Sequence, residues 1–117
     1  MSKIVFTAFA RENFYLREYI TKFVLEKNHT PLSAFMMFSY FLMDSIERQR
    51  LIEANNSLVK ISDEVWVFGK ISPGVAEEIA LAKSLSLKVK YFSIVALNDI
   101  SSEIRFEETE ICENLER

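Results

Sequence analysis

Short apolar segments alternate with amphipathic helical segments along this chain, and that alternation constrains the fold more than any other feature. Three runs are apolar, β-branched and aromatic, as buried strands are: 3–9, 63–69 and 88–97. Three segments show helical character, with apolar side chains at helical spacing: 12–28, 44–61 and 74–87. Strands alternating with helices form a parallel sheet that is covered on both faces. The 117 residues therefore predict a single α/β domain, 1–117.

The remaining segments are less regular. The stretch "HTPLSAF" (29–35) predicts a short extended segment that ends or bends near Pro31. The aromatic run 35–43 fits a buried helix, a strand or a partner surface. Asp44 or Ser45 is placed to cap the helix that follows. We expect the mostly polar segment 100–116 to be helical.

Charge is concentrated at the carboxyl end of the chain. The net charge is −3, and residues 103–117 hold six glutamates against two arginines. We interpret about 100–117 as an acidic tail with a solvated surface. The rest of the chain has no basic stripe, so nucleic acid is not an expected partner.

Cysteine and histidine are too few for several classes of site. The chain has one cysteine, Cys112, and one histidine, His29, which excludes an intrachain disulfide framework and a zinc cluster. We therefore expect no metal, and His29 to be a loop or strand-edge residue. The most apolar run, 31–43, is shorter than the roughly 20 residues that cross a bilayer. With no secretory signal visible, the expectation is a cytoplasmic protein without a membrane partner.

Ligands of parallel α/β sheets bind outside the carboxyl ends of the strands. This rule selects three segments: 8–11, 69–74 and 96–98. The second, "GKISPG", contains both glycines of the chain. Gly69 and Gly74 permit backbone angles and close approaches that a side chain would block. The N–H groups that open the next helix, with the Ser72 hydroxyl, can hold a phosphate or carboxylate, although an ordinary strand-to-helix connection explains the spacing equally well.

Two adjacent glutamates follow this turn. Glu78 shares a helical stripe with apolar residues three or four positions away, including Val75 and Ala82. Glu77 is rotated from Glu78 by about 100°. We therefore predict that Glu77 faces solvent and that Glu78 faces the core and the cleft. The alternative is a first-turn glutamate stabilised by the helix dipole.

The stretch "SPGVAEEIALA" (72–82) resembles the signature of the nucleoside 2-deoxyribosyltransferase-like superfamily. In that signature a small polar residue and a glycine precede a glutamate, and an alanine follows four places later. The preceding "SDEVWVFG" resembles the family's central strand, which opens with aspartate. Residues 44–92 are also similar to small uncharacterised members of the superfamily.

The resemblance implies a flavodoxin-like or Rossmann-like three-layer fold with a four- to five-stranded, mainly parallel sheet. It also implies an N-glycosidase or 2-deoxyribosyltransferase that acts on a nucleoside or its 5′-monophosphate. Glu78 matches the nucleophile, and a carboxylate suits an oxocarbenium-like transition state. No cofactor is implied.

The resemblance assigns further residues. Asp63 matches the aspartate at the start of the central strand and is a second catalytic candidate. Arg11 falls where the nucleotide-specific branch has a phosphate-binding arginine. Ser72 and Gly74 match positions that hold a 5′-phosphate or ribose, and Gly69 belongs to the same loop. Asn55 and Asn56, on the preceding helix, are substrate-binding candidates if they face the cleft; asparagines in the middle of a helix also face solvent or form local bridges.

Two positions depart from the family pattern and motivate an alternative function. Phe9 stands where the first loop has small residues, and Ala80 stands where active members often have glycine. The alternative is a non-catalytic nucleotide-binding or homo-oligomeric interaction module on the same fold. Neighbouring subunits of the superfamily often complete the cleft, so we expect a homodimer.

Overall fold

The computed structural model describes residues 2–37, 45–96 and 104–110. The described strands form one sheet with the order β2-β1-β3-β4-β5. Their bounds are β1 Ile4–Phe9, β2 Thr30–Leu32, β3 Glu64–Phe68, β4 Lys88–Ala96 and β5 Ile104–Thr109. Strands β1 to β4 pair in parallel and β5 runs antiparallel to β4. This strand order is that of flavodoxin-like sheets, which confirms the predicted α/β fold with a mainly parallel sheet.

Helices cover both faces of the sheet. Their bounds are a 3-10 helix at Arg11–Leu16, α1 Arg17–Glu26, α2 Ala34–Met37, α3 Arg48–Lys60 and α4 Pro73–Ser84. Helices α3 and α4 pack on one face, with buried Val59, Val75 and Ile79 against Phe6 and Val65 of the sheet. The 3-10 helix and α1 cover the opposite face. The three layers follow from strands whose side chains alternate between two apolar cores.

The core on the α1 face is aromatic. The Phe23 ring of α1 lies edge-on to Phe92 and Phe68, with centroids 5.2 and 5.9 Å apart. Phe68 and Phe92 stack at 5.0 Å, and Phe106 of β5 lies 5.2 Å from Phe68. Strand β5 therefore contributes to the same core as the parallel strands.

Three segments differ from the sequence-based expectations. Residues 104–109 form a strand rather than a helix, because Ile104 and Phe106 alternate with exposed Arg105 and Glu107 and pair with β4. The predicted helix 12–28 opens with the 3-10 turn and becomes α-helical at Arg17.

The predicted helix 44–61 begins later, at Arg48. Glu47 occupies its N-cap position, and Ser45 lies in a turn before it. Of the aromatic run 35–43, residues 35–37 belong to the short helix α2. Residues 38–44, including the capping candidate Asp44, lie outside the described residues.

Candidate functional site

The carboxyl edge of the sheet has a topological switch point between β1 and β3, and we call the space between the two loops that follow these strands the crevice. The chain leaves β1 toward α1 on one face and leaves β3 toward α4 on the other. Phe9, Phe68 and Phe92 are in register across the three strands; β1 and β3 end at this level, whereas β4 continues to Ala96. Such a topological switch point is where open α/β sheets bind ligands.

Gly69 shapes the turn after β3. Its φ is +77°, in the left-handed region that favours glycine, and its N–H donates to the Phe92 carbonyl at 2.8 Å. A Cβ at this position would lie 2.7 Å from Ile94 Cδ1 and 3.1 Å from Asn13 Nδ2. Gly69 is thus required by the backbone angle and by close packing.

Gly74 differs from Gly69 in both respects. It lies in the first turn of α4, and a Cβ there would meet no atom within 4 Å. The Ser72 hydroxyl accepts a hydrogen bond from the Val75 N–H at 3.3 Å, and Pro73 occupies the first helical position. Ser72 therefore caps the helix, and open space lies beside the backbone of its first turn.

Glu78 contacts a side chain of the neighbouring helix. Its Oε2 accepts a hydrogen bond from Asn55 Nδ2 of α3 at 2.6 Å. Glu78 is partly buried and Glu77 is exposed, as the helical spacing predicts. Glu78 follows Pro73 by five positions, about 8 Å along the helix axis. Because the first turn of α4 contains no acidic residue, Glu78 does not act as an N-terminal partner of the helix dipole.

The surroundings of Glu78 favour its protonated form. Burial, partly offset by the Asn55 hydrogen bond and reinforced by the charge of Glu77, raises the pKa of Glu78 to about 7. At neutral pH the carboxyl group is therefore divided between its acid and base forms. A group poised in this way can act as a nucleophile or in proton transfer.

Arg11 and Lys70 bring positive charge to the crevice. Exposed Arg11 opens the 3-10 helix just after β1. Lys70, in the turn after β3, places Nζ 3.6 Å from Glu12 Oε1, which joins the two loops. Sequence reasoning selected both loops but did not single out Glu12 or Lys70, because the pair forms only when the strands are adjacent.

Phe9 does not project into open space at this edge. Its side chain is buried in the core of the α1 face. Ala80 is exposed on α4, and Asn56 is partly buried on α3 beside Asn55.

Asp63 lies at the opposite edge of the sheet. Its Oδ2 accepts from the Ile4 N–H at 2.8 Å, and its own N–H donates to the Ile4 carbonyl at 2.7 Å. The length of β3 separates Asp63 from Gly69, about 20 Å along an extended chain. Asp63 therefore lies at the end of β3 opposite the Gly69 turn, and its hydrogen bonds are to the Ile4 backbone rather than to Glu78.

Two comparisons with known proteins bear on this arrangement. A family model described as a domain of unknown function, DUF7768, matches residues 6–92. The chain belongs to the DUF7768 family. The matched span contains the Gly69 turn, Asn55 and Glu78, whereas β5 lies beyond it. No curated protein matches the chain.

The fold of this DUF7768 domain is shared with an enzyme of known structure. A 2-desoxiribosyltransferase from Leishmania mexicana superposes with a TM-score of 0.62 and 13% sequence identity. The likeness covers 97% of this chain and 83% of the other. At this identity the comparison establishes a common α/β architecture.

A buried glutamate that sequence reasoning did not select lies at the amino edge of the DUF7768 sheet. Glu64 accepts hydrogen bonds from Lys3 Nζ and from Trp66 Nε1, each at 2.8 Å. Burial opposes ionisation, but these donors and nearby Lys90 hold the pKa of Glu64 below its usual value. His29 lies at the same edge, where its Nδ1 accepts a hydrogen bond from the Lys3 N–H at 3.2 Å.

Neither a metal site nor a membrane-spanning helix is found in the described part of the chain. Residues 2–37, 45–96 and 104–110 contain no group of three or more His, Cys, Asp or Glu arranged to hold a metal ion. No helix within these ranges is long and apolar enough to cross a membrane.

Proposed function

We propose that this DUF7768 domain cleaves or transfers the N-glycosidic bond of a nucleoside or nucleoside 5′-monophosphate, with Glu78 as the nucleophile. The observation that carries the proposal is the carboxyl group of Glu78, which accepts a hydrogen bond from Asn55 between α3 and α4 and whose pKa burial raises to about 7. The deoxyribosyltransferase-like signature at 72–82 and the fold shared with the Leishmania mexicana enzyme support the same assignment.

The chemistry proceeds in two displacements. A Glu78 carboxylate oxygen attacks the anomeric carbon, the bond from that carbon to the base nitrogen breaks, and the base leaves with the electron pair and takes a proton from water. Water then attacks the glycosyl ester and loses a proton to give the free sugar, or a second base attacks and loses its N–H proton to give a new nucleoside. Either attack releases the Glu78 carboxylate.

The crevice offers complementary groups for the rest of the substrate. The Gly74 N–H in the first turn of α4 and the open space beside this residue suit a 5′-phosphate or ribose oxygen. Arg11 supplies positive charge at the end of β1. Asp63 is not part of this proposed site, because its hydrogen bonds join the amino ends of β1 and β3.

Base release from a panel of deoxynucleosides and their 5′-monophosphates tests the proposal, with products separated by chromatography. We expect Glu78→Gln to lower turnover by about three orders of magnitude or more. Glu77→Gln, an adjacent and exposed change, is the matched control and should retain activity. Absence of release by the wild-type protein across the panel, or full activity of Glu78→Gln, would reject the proposal.

A non-catalytic nucleotide-binding module is the second candidate, and exposed Ala80, where active superfamily members often have glycine, favours it. Calorimetric titration with the same nucleotides distinguishes the two candidates. Saturable binding without base release would support the binding module.

We also propose that the domain forms a homodimer. Met36 and Met37 of α2 are 46% and 57% exposed, and these apolar side chains support a contact surface. Light scattering over a concentration series measures the mass, and a monomer at every concentration would contradict the proposal.

A further inference from the structure

We infer that Asn55 is a positioning residue for Glu78: its amide holds Oε2 and leaves Oε1 as the oxygen that meets the substrate. This inference rests on the proposed function, in which Glu78 is the reacting group. Among the described residues, Oε2 is the Glu78 oxygen that accepts a hydrogen bond, and its donor is 2.6 Å away.

Both side chains lie on helix stripes that are otherwise apolar. Asn55 precedes Leu58 and Val59 by three and four residues, and Glu78 precedes Leu81 and Ala82 by the same spacing. An amide and a carboxyl group thus meet where two apolar stripes pack together. The contact fixes the Glu78 rotamer relative to α3, so the packing of two helices sets the direction of the carboxyl group.

A second glutamate of this domain shows how a purely structural carboxylate is accommodated. Glu64 is bonded to the cation of Lys3 and to the Trp66 indole, and these contacts stabilise its charge. Glu78 instead accepts its hydrogen bond from the neutral amide of Asn55. A carboxyl group with only a neutral partner is costly to bury. For a purely structural role, a cationic partner in place of Asn55, or a glutamine in place of Glu78, would therefore be more stable. The neutral partner orients Glu78 and leaves it able to change protonation state.

Asparagine also limits the chemistry at this contact. Its Nδ2 donates hydrogen bonds but has no acidic proton to transfer near neutral pH. Asn55 therefore does not serve as a general acid, and its effect on the reaction passes through Glu78. Its hydrogen bond favours the ionised carboxylate, which is the nucleophilic form.

The charged groups near the pair are few. Glu77, on the same helix, opposes ionisation of Glu78. The sheet beneath α3 and α4 presents apolar side chains from β1 and β3: Phe6, Ala8, Val65 and Val67. The ionisable residues of α3 are Arg48, Arg50, Glu53 and Lys60. Arg50 and Glu53 pair with each other at 3.3 Å.

The test replaces Asn55 and follows both ionisation and turnover. Asn55→Leu keeps the side chain branched at Cγ and removes the donor. Carboxyl carbon NMR should show the Glu78 titration moved to higher pH by about one to two units, because a hydrogen bond to a charged group is lost. We expect kcat to fall about 10- to 100-fold with KM little changed. The acid limb of the pH–rate profile should move to higher pH by the same amount as the Glu78 titration.

Two further variants complete the design. Asn55→Asp places a second carboxyl group beside Glu78 and should move the titration at least as far upward. Ser57→Ala, an exposed change on the same helix, should leave the titration and turnover unaltered. An unmoved Glu78 titration in folded Asn55→Leu protein would overturn the inference. Because the titration needs no substrate, a wild-type protein without base release would refute the proposed function separately.

Discussion

The backbone N–H of Ile4 donates to Asp63 Oδ2 at 2.8 Å, while the Asp63 N–H donates to the Ile4 carbonyl at 2.7 Å. This reciprocal pair joins the start of β1 to the residue before β3. The aspartate that opens the central strand therefore stabilises strand pairing at the edge opposite the crevice.

Removal of the Asp63 carboxylate should lower stability and leave turnover intact. We expect Asp63→Ala to reduce the free energy of unfolding by about 1–2 kcal/mol, because the Ile4 N–H loses its acceptor. Asp63→Asn retains an acceptor and should lose less. Urea unfolding monitored by Trp66 fluorescence measures both. Loss of turnover in Asp63→Ala at unchanged stability would instead support a chemical role.

The two glycines should respond oppositely to alanine. Gly69→Ala forces a Cβ into a left-handed conformation and against Ile94, so we expect a loss of about 2 kcal/mol or more in unfolding free energy. Gly74→Ala adds a methyl group in open space on a helix, which should leave stability unchanged or raise it by up to about 1 kcal/mol.

Thermal unfolding compares the two glycine variants directly, and equal losses would contradict the structure. If a substrate approaches the backbone at Gly74, KM should rise in Gly74→Ala although the protein is as stable as wild type.

Glu78 should make the domain less stable as pH rises. Its pKa is about 7 in the folded state and about 4.5 in the unfolded state, so the folded protein binds the proton more tightly. The resulting loss of stability develops between about pH 4.5 and 7, remains above pH 7, and is on the order of 3 kcal/mol. Glu78→Gln should therefore gain stability relative to wild type across this window.

Denaturant midpoints at several pH values measure this gain. Glu77→Gln is the control and should show no comparable pH-dependent difference. A Glu78→Gln curve parallel to wild type from pH 4.5 to 8 would show that burial does not perturb the Glu78 carboxyl group.

Glu64 should show the opposite sign of pH dependence. Its pKa is lowered in the folded state, so its stabilisation is present above the unfolded pKa and disappears as pH falls through the folded value. Lys3→Met should therefore destabilise the domain more at pH 7 than at pH 3. The exposed change Lys22→Met serves as the control. An equal effect of Lys3→Met at both pH values would indicate lost packing rather than a lost charge partner.

The sequence was sufficient for features that depend on local geometry. The order of strands and helices follows from periodicities within each segment, and α3 and α4 differ from their predicted bounds only near their ends. The opposite environments of Glu77 and Glu78 follow from the rotation of about 100° per residue in any α-helix. A left-handed turn at Gly69 is likewise a short-range property of strand-to-helix connections.

Tertiary structure decided the features that depend on distant partners. Residues 104–109 are polar enough to suit a helix and become a strand because β4 offers an unpaired edge and the Phe23–Phe68 core accepts Phe106. Asp63 belongs to the amino edge because strand pairing sets its neighbours. Asn55 and Glu78 are 23 positions apart, and no local pattern links them. Their contact exists because two helices pack side by side on one sheet face, and that packing gives Glu78 a partner and a raised pKa.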